Sequence, residues 1–160
     1  MKSVTSFFLL LMFVYSSSYS QLSSDKIFES FKQGERTNCS SIAFIKASLN
    51  VYGLDNLFES EKLHNNSYRI TLKNNATFNL DSSEVTKARK SAGFVYIKDN
   101  CDSEKIRDYA ILTYAVMAKY MQIIDKEPTF EKALEELEES SVYTPTIYKD
   151  LGFKLGKQSQ

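Results

Sequence analysis

Apolar residues recur at the spacing of an α-helix in three long stretches of the chain. The stretches predict helices over residues 39–52, from Asp102 or Ser103 to Ile124, and from Thr129 onward, the first two stopped by Gly53 and Pro128. The positions predicted to face a core are Ile42, Ile45 and Leu49 in the first helix, Ile106, Tyr109, Ala110, Thr113, Val116, Met117, Tyr120, Met121 and Ile124 in the second, and Phe130, Ala133, Leu134 and Leu137 in the third.

Shorter patterns fill the spaces between these helices. Residues 68–72 and 77–80 alternate between apolar and polar side chains around a turn at 73–76, which predicts a β-hairpin. Asp81 and Glu84 have the spacing of a capping box for a helix that ends before Gly93. Further predictions are a helix over 24–33, a helical turn over 54–58, a polar connector over 59–66, a short strand over 94–97, and a last helix from Thr144 to Gly152. The fold class that follows is α+β and helix-dominated.

The first twenty residues have the pattern of a signal peptide. Lys2 precedes an apolar core over 7–15, and Ser18-Tyr19-Ser20 forms a small-x-small cleavage site. We therefore expect a secreted or periplasmic protein in which 21–160 form a single domain, with no stable membrane insertion after cleavage. An uncleaved membrane anchor is the alternative.

The balance of charged residues argues against a nucleic-acid partner. The chain has 20 basic and 20 acidic side chains, and no basic stripe with interleaved aromatic residues is present, so no nucleic-acid partner is expected. The glutamates of the helix after Thr129 have no histidine or cysteine neighbours, which indicates a solvated face instead of a metal site. No cofactor is predicted.

Cys39 is the residue with the clearest chemical potential. It is predicted at the first turn of a buried helix, where the helix dipole and unpaired backbone N–H groups favour a thiolate over a thiol. Gln33 lies six residues upstream on a polar loop. Its side-chain amide, together with the backbone N–H of Cys39, could form an oxyanion hole beside a nucleophile.

Gln33, Gly34, Asn38, Cys39 and Ala43, followed by a long apolar helix, resemble the N-terminal catalytic segment of calpain-like cysteine peptidases of the papain superfamily. The family usually has Gly-Asp before the cysteine and an aromatic residue after it, where this chain has Thr37-Asn38 and Ser40. Weaker resemblance continues in two later segments, so that it spans Gln33 to about Gly156. The later positions that carry it are Tyr109, Leu112, Ala118, Lys119, Tyr148, Asp150, Leu151 and Gly152.

The resemblance implies the helical half of such a peptidase, with Cys39 as nucleophile and Gln33 in the oxyanion hole. The family's catalytic histidine and asparagine come from a second, β-rich half that has no counterpart in these 160 residues. The one histidine, His64, occupies no catalytic position on this resemblance. The implied protein is a degenerate or truncated peptidase, weakly active or inactive, whose partners are a polypeptide substrate or a chain that supplies the missing half.

Two other hypotheses stay open. The chain could be an active cysteine hydrolase that uses His64 or a histidine from a partner chain. It could also be a small secreted α+β binding or structural domain in which Cys39 is buried or forms a disulfide with Cys101, since an exported chain with two cysteines admits such a bond.

Overall fold

The computed structural model describes residues 23–124, 126–139 and 151–153. These residues form five α-helices and two small antiparallel sheets, so the α+β, helix-dominated class is confirmed. The helices are α1 (Ser24–Ser30), α2 (Cys39–Tyr52), α3 (Ser82–Ala92), α4 (Cys101–Ile124) and α5 (Phe130–Glu138), and the strands are β1 (Phe31–Lys32), β2 (Glu59–Lys62), β3 (Tyr68–Thr71), β4 (Thr77–Leu80) and β5 (Val95–Tyr96).

α4 is the centre of the fold. Every residue from Tyr109 to Ala118 is buried, so this helix is surrounded on all sides. Alanines at 110, 115 and 118 leave room for close helix packing, and α1, α2, α3 and α5 all contact α4. α2 adds the buried residues Ile42, Ile45 and Leu49, as its periodicity predicts.

The larger sheet has the strand order β2-β3-β4 and covers one side of the helices. Ile70 of β3 and Leu80 of β4 are buried, and β4 contacts α4. In the smaller sheet β1 pairs with β5, with Phe31 opposite Tyr96. The hairpin over β3 and β4 and the short strand near 94–97 are therefore confirmed.

Both ends of α3 have the capping residues that the sequence predicts. Asp81 Oδ1 accepts the Glu84 N–H at 2.8 Å, and Glu84 Oε2 accepts the Asp81 N–H at 3.0 Å, which completes the capping box. Gly93 ends the helix in the left-handed conformation, with φ 55°.

Several predicted boundaries were wrong. The first helix ends at Ser30 and not at Gln33, because Phe31 is extended and pairs with Tyr96. Residues 54–58 form turns and no helix, and the connector after them contains β2. α4 begins at Cys101, one or two residues before the predicted caps.

The predicted signal peptide, and most of the last predicted helix, lie outside the described residues. Leu151 is described and buried. Within 23–124, 126–139 and 151–153, none of the helices combines the length and the apolar character that crossing a bilayer requires.

Candidate functional site

Cys39 is the first residue of α2, and its thiol is free and exposed. The helix behind it is fixed by its buried face, which packs into the core. The N–H groups of the first helical turn have no intrahelical acceptor, and the first bond within α2 runs from Ile42 N–H to Asn38 O at 3.1 Å. The thiol therefore lies at the positive end of a 14-residue helix.

Asn38 precedes the thiol and is fully buried. Its side chain makes no capping hydrogen bond to α2; its Nδ2 instead donates to the carbonyl of Ala92, at the end of α3, at 2.9 Å. The backbone of Asn38, at φ −90° and ψ 32°, lies outside the extended region usual for a capping residue. The side chain thus ties the start of α2 to the end of α3.

The loop over 33–38, which we call the cysteine loop, is also tied to α5. Thr37 Oγ1 donates to the Glu138 carbonyl at 2.6 Å, and Arg36 forms an ion pair with the Glu138 carboxylate at 3.1 Å. Just inside α2, Ser41 Oγ donates to the Leu137 carbonyl at 3.3 Å. Contacts from two distant helices therefore hold the thiol in place.

Gln33 uses its side chain within the cysteine loop. Its Nε2 donates to the carbonyl of Arg36, so this amide shapes the turn before Cys39. An oxyanion-hole role at Cys39 would require the amide to leave that carbonyl.

His64 lies in a 3₁₀ turn between β2 and β3, and its side chain is exposed. Lys62, Tyr68 and Leu80 are paired across the sheet at the end from which α3 begins. Cys39 lies at the other end of α3, beside Ala92. The eleven residues of α3 span about 16 Å. The structure therefore does not bring His64 and Cys39 together.

Cys101 is free and exposed as well, so in this structure Cys39 is neither buried nor bonded to Cys101. Cys101 begins α4, but the start of that helix differs from the start of α2. Asn100 Oδ1 accepts the Ser103 N–H at 2.9 Å and caps the helix, and two acids, Asp102 and Glu104, occupy the first turn. An open hollow of about 510 Å³ adjoins Cys101, and ion pairs join Lys26 to Asp102 and Lys98 to Glu29 across it.

A buried polar cluster beneath the cysteine loop has no signal in the apolar pattern. Tyr114 of α4 is fully buried, and its hydroxyl lies next to the side chains of Ser91 and Asn38. Burial raises the pKa of Tyr114, while these two neighbours partly lower it. Ser91 Oγ also donates to the Glu138 carboxylate at 2.7 Å. A tyrosine inside an apolar helix indicates burial but does not reveal its polar neighbours.

Metal chemistry has no candidate in the part of the chain that the structure describes, where no group of three or more metal-binding side chains comes together. Comparison with known proteins adds no relative, because no family model, curated protein or solved structure matches this chain.

Proposed function

We propose that this chain is an exported, thiol-bearing helical domain that resembles the cysteine half of a calpain-like peptidase and is weakly active or inactive alone. The observation that carries the proposal is the exposed thiol of Cys39 at the start of α2, on a loop tied to α3 and α5. A fixed, accessible thiol at a helix N-terminus is one of the arrangements in which cysteine nucleophiles occur.

We expect weak or absent activity because hydrolysis by the Cys39 thiol requires a group that accepts the thiol proton. Thiol-dependent hydrolysis needs a positioned base, usually a histidine, within hydrogen-bond reach of the sulfur. His64 is the one histidine of the sequence, and α3 separates it from Cys39. The backbone N–H groups of α2 can stabilise an anion at Cys39, but they cannot accept its proton.

A polypeptide is the partner class that suits this surface. Val95, Tyr96 and Ile97 are consecutive, apolar and exposed. They adjoin the cysteine loop, because a Cβ built on Gly34 would lie 3.3 Å from Val95 Cγ2. An apolar strip beside the cysteine loop favours either an extended peptide substrate or a second chain that supplies the missing half.

One observation favours the alternative of a secreted binding or structural domain. The Gln33 amide is bonded to the carbonyl of Arg36, so the donor expected for an oxyanion is already engaged. In this alternative the apolar strip binds a partner and Cys39 has no chemical role.

Alkylation and peptide hydrolysis test the proposal on the same preparation. Native protein is treated with iodoacetamide near neutral pH, and the labelling rates of Cys39 and Cys101 are followed by peptide mass spectrometry. We expect Cys39 to react about two- to fivefold faster, because α4 is capped and carries two acids in its first turn whereas α2 is neither capped by Asn38 nor acidic there. Hydrolysis of peptide substrates should equal that of Cys39→Ala.

Each contrary result has a distinct meaning. Equal labelling rates would remove the nucleophile assignment and favour the binding domain. Labelling that appears only after reduction would show a disulfide between the two cysteines. Turnover that is lost in both Cys39→Ala and His64→Ala would show an active hydrolase.

A further inference from the structure

Three Asn-x-Ser/Thr sequons, the pattern at which oligosaccharides are attached to asparagine in exported proteins, occur in the sequence. Their asparagines are Asn38, Asn65 and Asn75. The sugar is attached to the side-chain amide nitrogen Nδ2, so the surroundings of this atom in the fold decide which of the three sites can carry it. The structure gives the three nitrogens different surroundings.

Two of the asparagines lie in exposed turns of the larger sheet. Asn65 is in the 3₁₀ turn between β2 and β3, and Asn75 is in the turn between β3 and β4. Both have a left-handed backbone, with φ 60° and φ 67°, which asparagine adopts more readily than most residues. In the described part of the chain neither side-chain amide has a hydrogen-bond partner. A glycan on either nitrogen therefore displaces no contact of the fold.

The turn that carries Asn75 does not depend on the Asn75 side chain. Asn74 Oδ1 accepts the Ala76 N–H at 3.0 Å, and the backbone N–H of Asn75 donates to the Leu72 carbonyl at 2.9 Å. These bonds stay intact when the Asn75 amide is modified, so the hairpin and its glycan are compatible.

Asn38 is the opposite case. It is fully buried, and its Nδ2 donates to the Ala92 carbonyl at 2.9 Å. A glycan is bulky and hydrated, and the closely packed interior at the start of α2 has no space for it. A chain glycosylated at Asn38 therefore cannot keep this contact between α2 and α3.

We propose that Asn65 and Asn75 are sites of Asn-linked glycosylation and that Asn38 stays unmodified, an inference that rests on the proposed export of the chain. The donor is an oligosaccharide linked to a lipid through a diphosphate, and a transferase of the secretory route catalyses the step. A bond forms between Nδ2 and C1 of the first sugar, and the bond between C1 and the diphosphate oxygen breaks. The lipid diphosphate leaves with that electron pair, and Nδ2 gives up one proton to a base of the transferase.

The two sites lie at opposite ends of β3, the central strand of the larger sheet. Its neighbour β2 is an edge strand and is exposed along its whole length. An edge strand offers unpaired backbone groups to other chains, and bulky hydrated groups beside it hinder such pairing. Glycans at Asn65 and Asn75 thus keep the larger sheet in contact with solvent.

The test uses the full chain, including its first twenty residues, expressed in cultured animal cells, whose secretory route attaches such oligosaccharides. The intact mass of the secreted protein is measured before and after treatment with peptide-N-glycosidase, which releases each glycan and converts its asparagine to aspartate. Peptide mass spectrometry then locates the converted residues. We expect two glycans on the wild-type protein, at Asn65 and Asn75, and none at Asn38.

Two variants at each site assign the glycans. Asn65→Asp and Ser67→Ala each destroy the first sequon, and Asn75→Asp and Thr77→Ala each destroy the second, so each variant should lose one glycan. Aspartate also tolerates the left-handed backbone, and the alanine variants keep the asparagine in case an aspartate variant does not fold. As a control, Asn79→Gln changes an exposed asparagine of β4 outside any sequon and should keep both glycans.

Ser40→Ala destroys the third sequon without changing Asn38, and it should also keep two glycans. A glycan that is present in wild type and lost in Ser40→Ala would overturn the exclusion of Asn38. Secreted protein that lacks a glycan at Asn65 or Asn75 would overturn that site while leaving the proposed export intact. A chain that stays in the cytosol would overturn the proposed export, and the inference with it.

Discussion

At Gly34 the backbone of the cysteine loop closely approaches the end of α3. A Cβ at this position would lie 2.4 Å from the carbonyl oxygen of Gly93. The Gly34 part of the peptidase-like motif therefore has a packing explanation in this chain, since the cysteine loop could not contact the end of α3 with a larger residue.

Gly34→Ala should lower the free energy of unfolding by about 1–3 kcal/mol, because backbone atoms must move to admit the methyl group. Glu35→Ala changes an exposed neighbour and should alter stability by less than about 0.5 kcal/mol. Urea denaturation of both variants measures the difference, and equal stabilities would contradict the close approach.

For single residues, the sequence predicted where a residue lies in its helix or loop better than it predicted which groups that residue contacts. The apolar period placed Cys39 at a helix start, because that period is local. The hydrogen-bond partners of Gln33 and Asn38 could not be predicted from the sequence. The Gln33 amide donates to the Arg36 carbonyl because of the turn of the loop, and the Asn38 amide donates to the carbonyl of Ala92, 54 residues away.

At the scale of elements, α3 is the helix whose ends are best defined. The pKa of Asp81 is lowered, first by the hydrogen bond from the Ser83 hydroxyl and then by the backbone N–H of Glu84. A carboxylate with a lowered pKa in the folded state stabilises the protein above the pKa of the unfolded chain, about 4. That stabilisation is lost as the pH falls through the folded value.

Asp81→Asn keeps a side chain that can cap α3 but removes the titration. We expect the variant to be less stable than wild type at pH 7, because it lacks the contribution of the charged carboxylate, and to lose less stability than wild type between pH 5 and pH 2, so that the two curves converge. Chemical denaturation across this range measures the change, with Glu35→Gln as an exposed acid outside the capping box. Parallel pH curves for wild type and Asp81→Asn would contradict the role of the carboxylate.

The elements with a clear helical or alternating pattern were mostly predicted, whereas β1 and β2 were missed because only their pairing reveals them. β2 reads Glu-Ser-Glu-Lys and is exposed along its whole length, so no alternation reveals it. Phe31 has helical spacing from Ile27, but its pairing with Tyr96 ends α1 early and leaves Phe28 55% exposed.

The whole molecule is organised around one core, to which α2 and α4 both contribute. The two helices offer two comparisons between side chains of the same type, one buried and one exposed: Ile45 with Ile123, and Val116 with Val51. Ile45 and Val116 are fully buried, whereas Ile123 is 45% and Val51 67% exposed on the same two helices.

Ile45→Ala and Val116→Ala should each lower the free energy of unfolding by about 1–4 kcal/mol, because truncation leaves a cavity. Ile123→Ala and Val51→Ala should cost less than about 1 kcal/mol, since water already contacts these side chains. Denaturant midpoints of the four variants test the arrangement, which would be wrong if exposed and buried members of a pair cost the same.

The fold class was predictable at this scale because it depends on periodicity and length. The surroundings of Cys39 were not predictable, because they depend on contacts with α3 and α5 that lie far along the chain.

The anchors of the cysteine loop also set an order of events during synthesis. Ala92, Leu137 and Glu138 hold the start of α2, and Glu138 is about 100 residues later in the chain than Thr37. A chain made from its N-terminus carries Cys39 long before these carbonyls exist. The surroundings of the thiol are thus completed only when the end of α5 has been made and has docked.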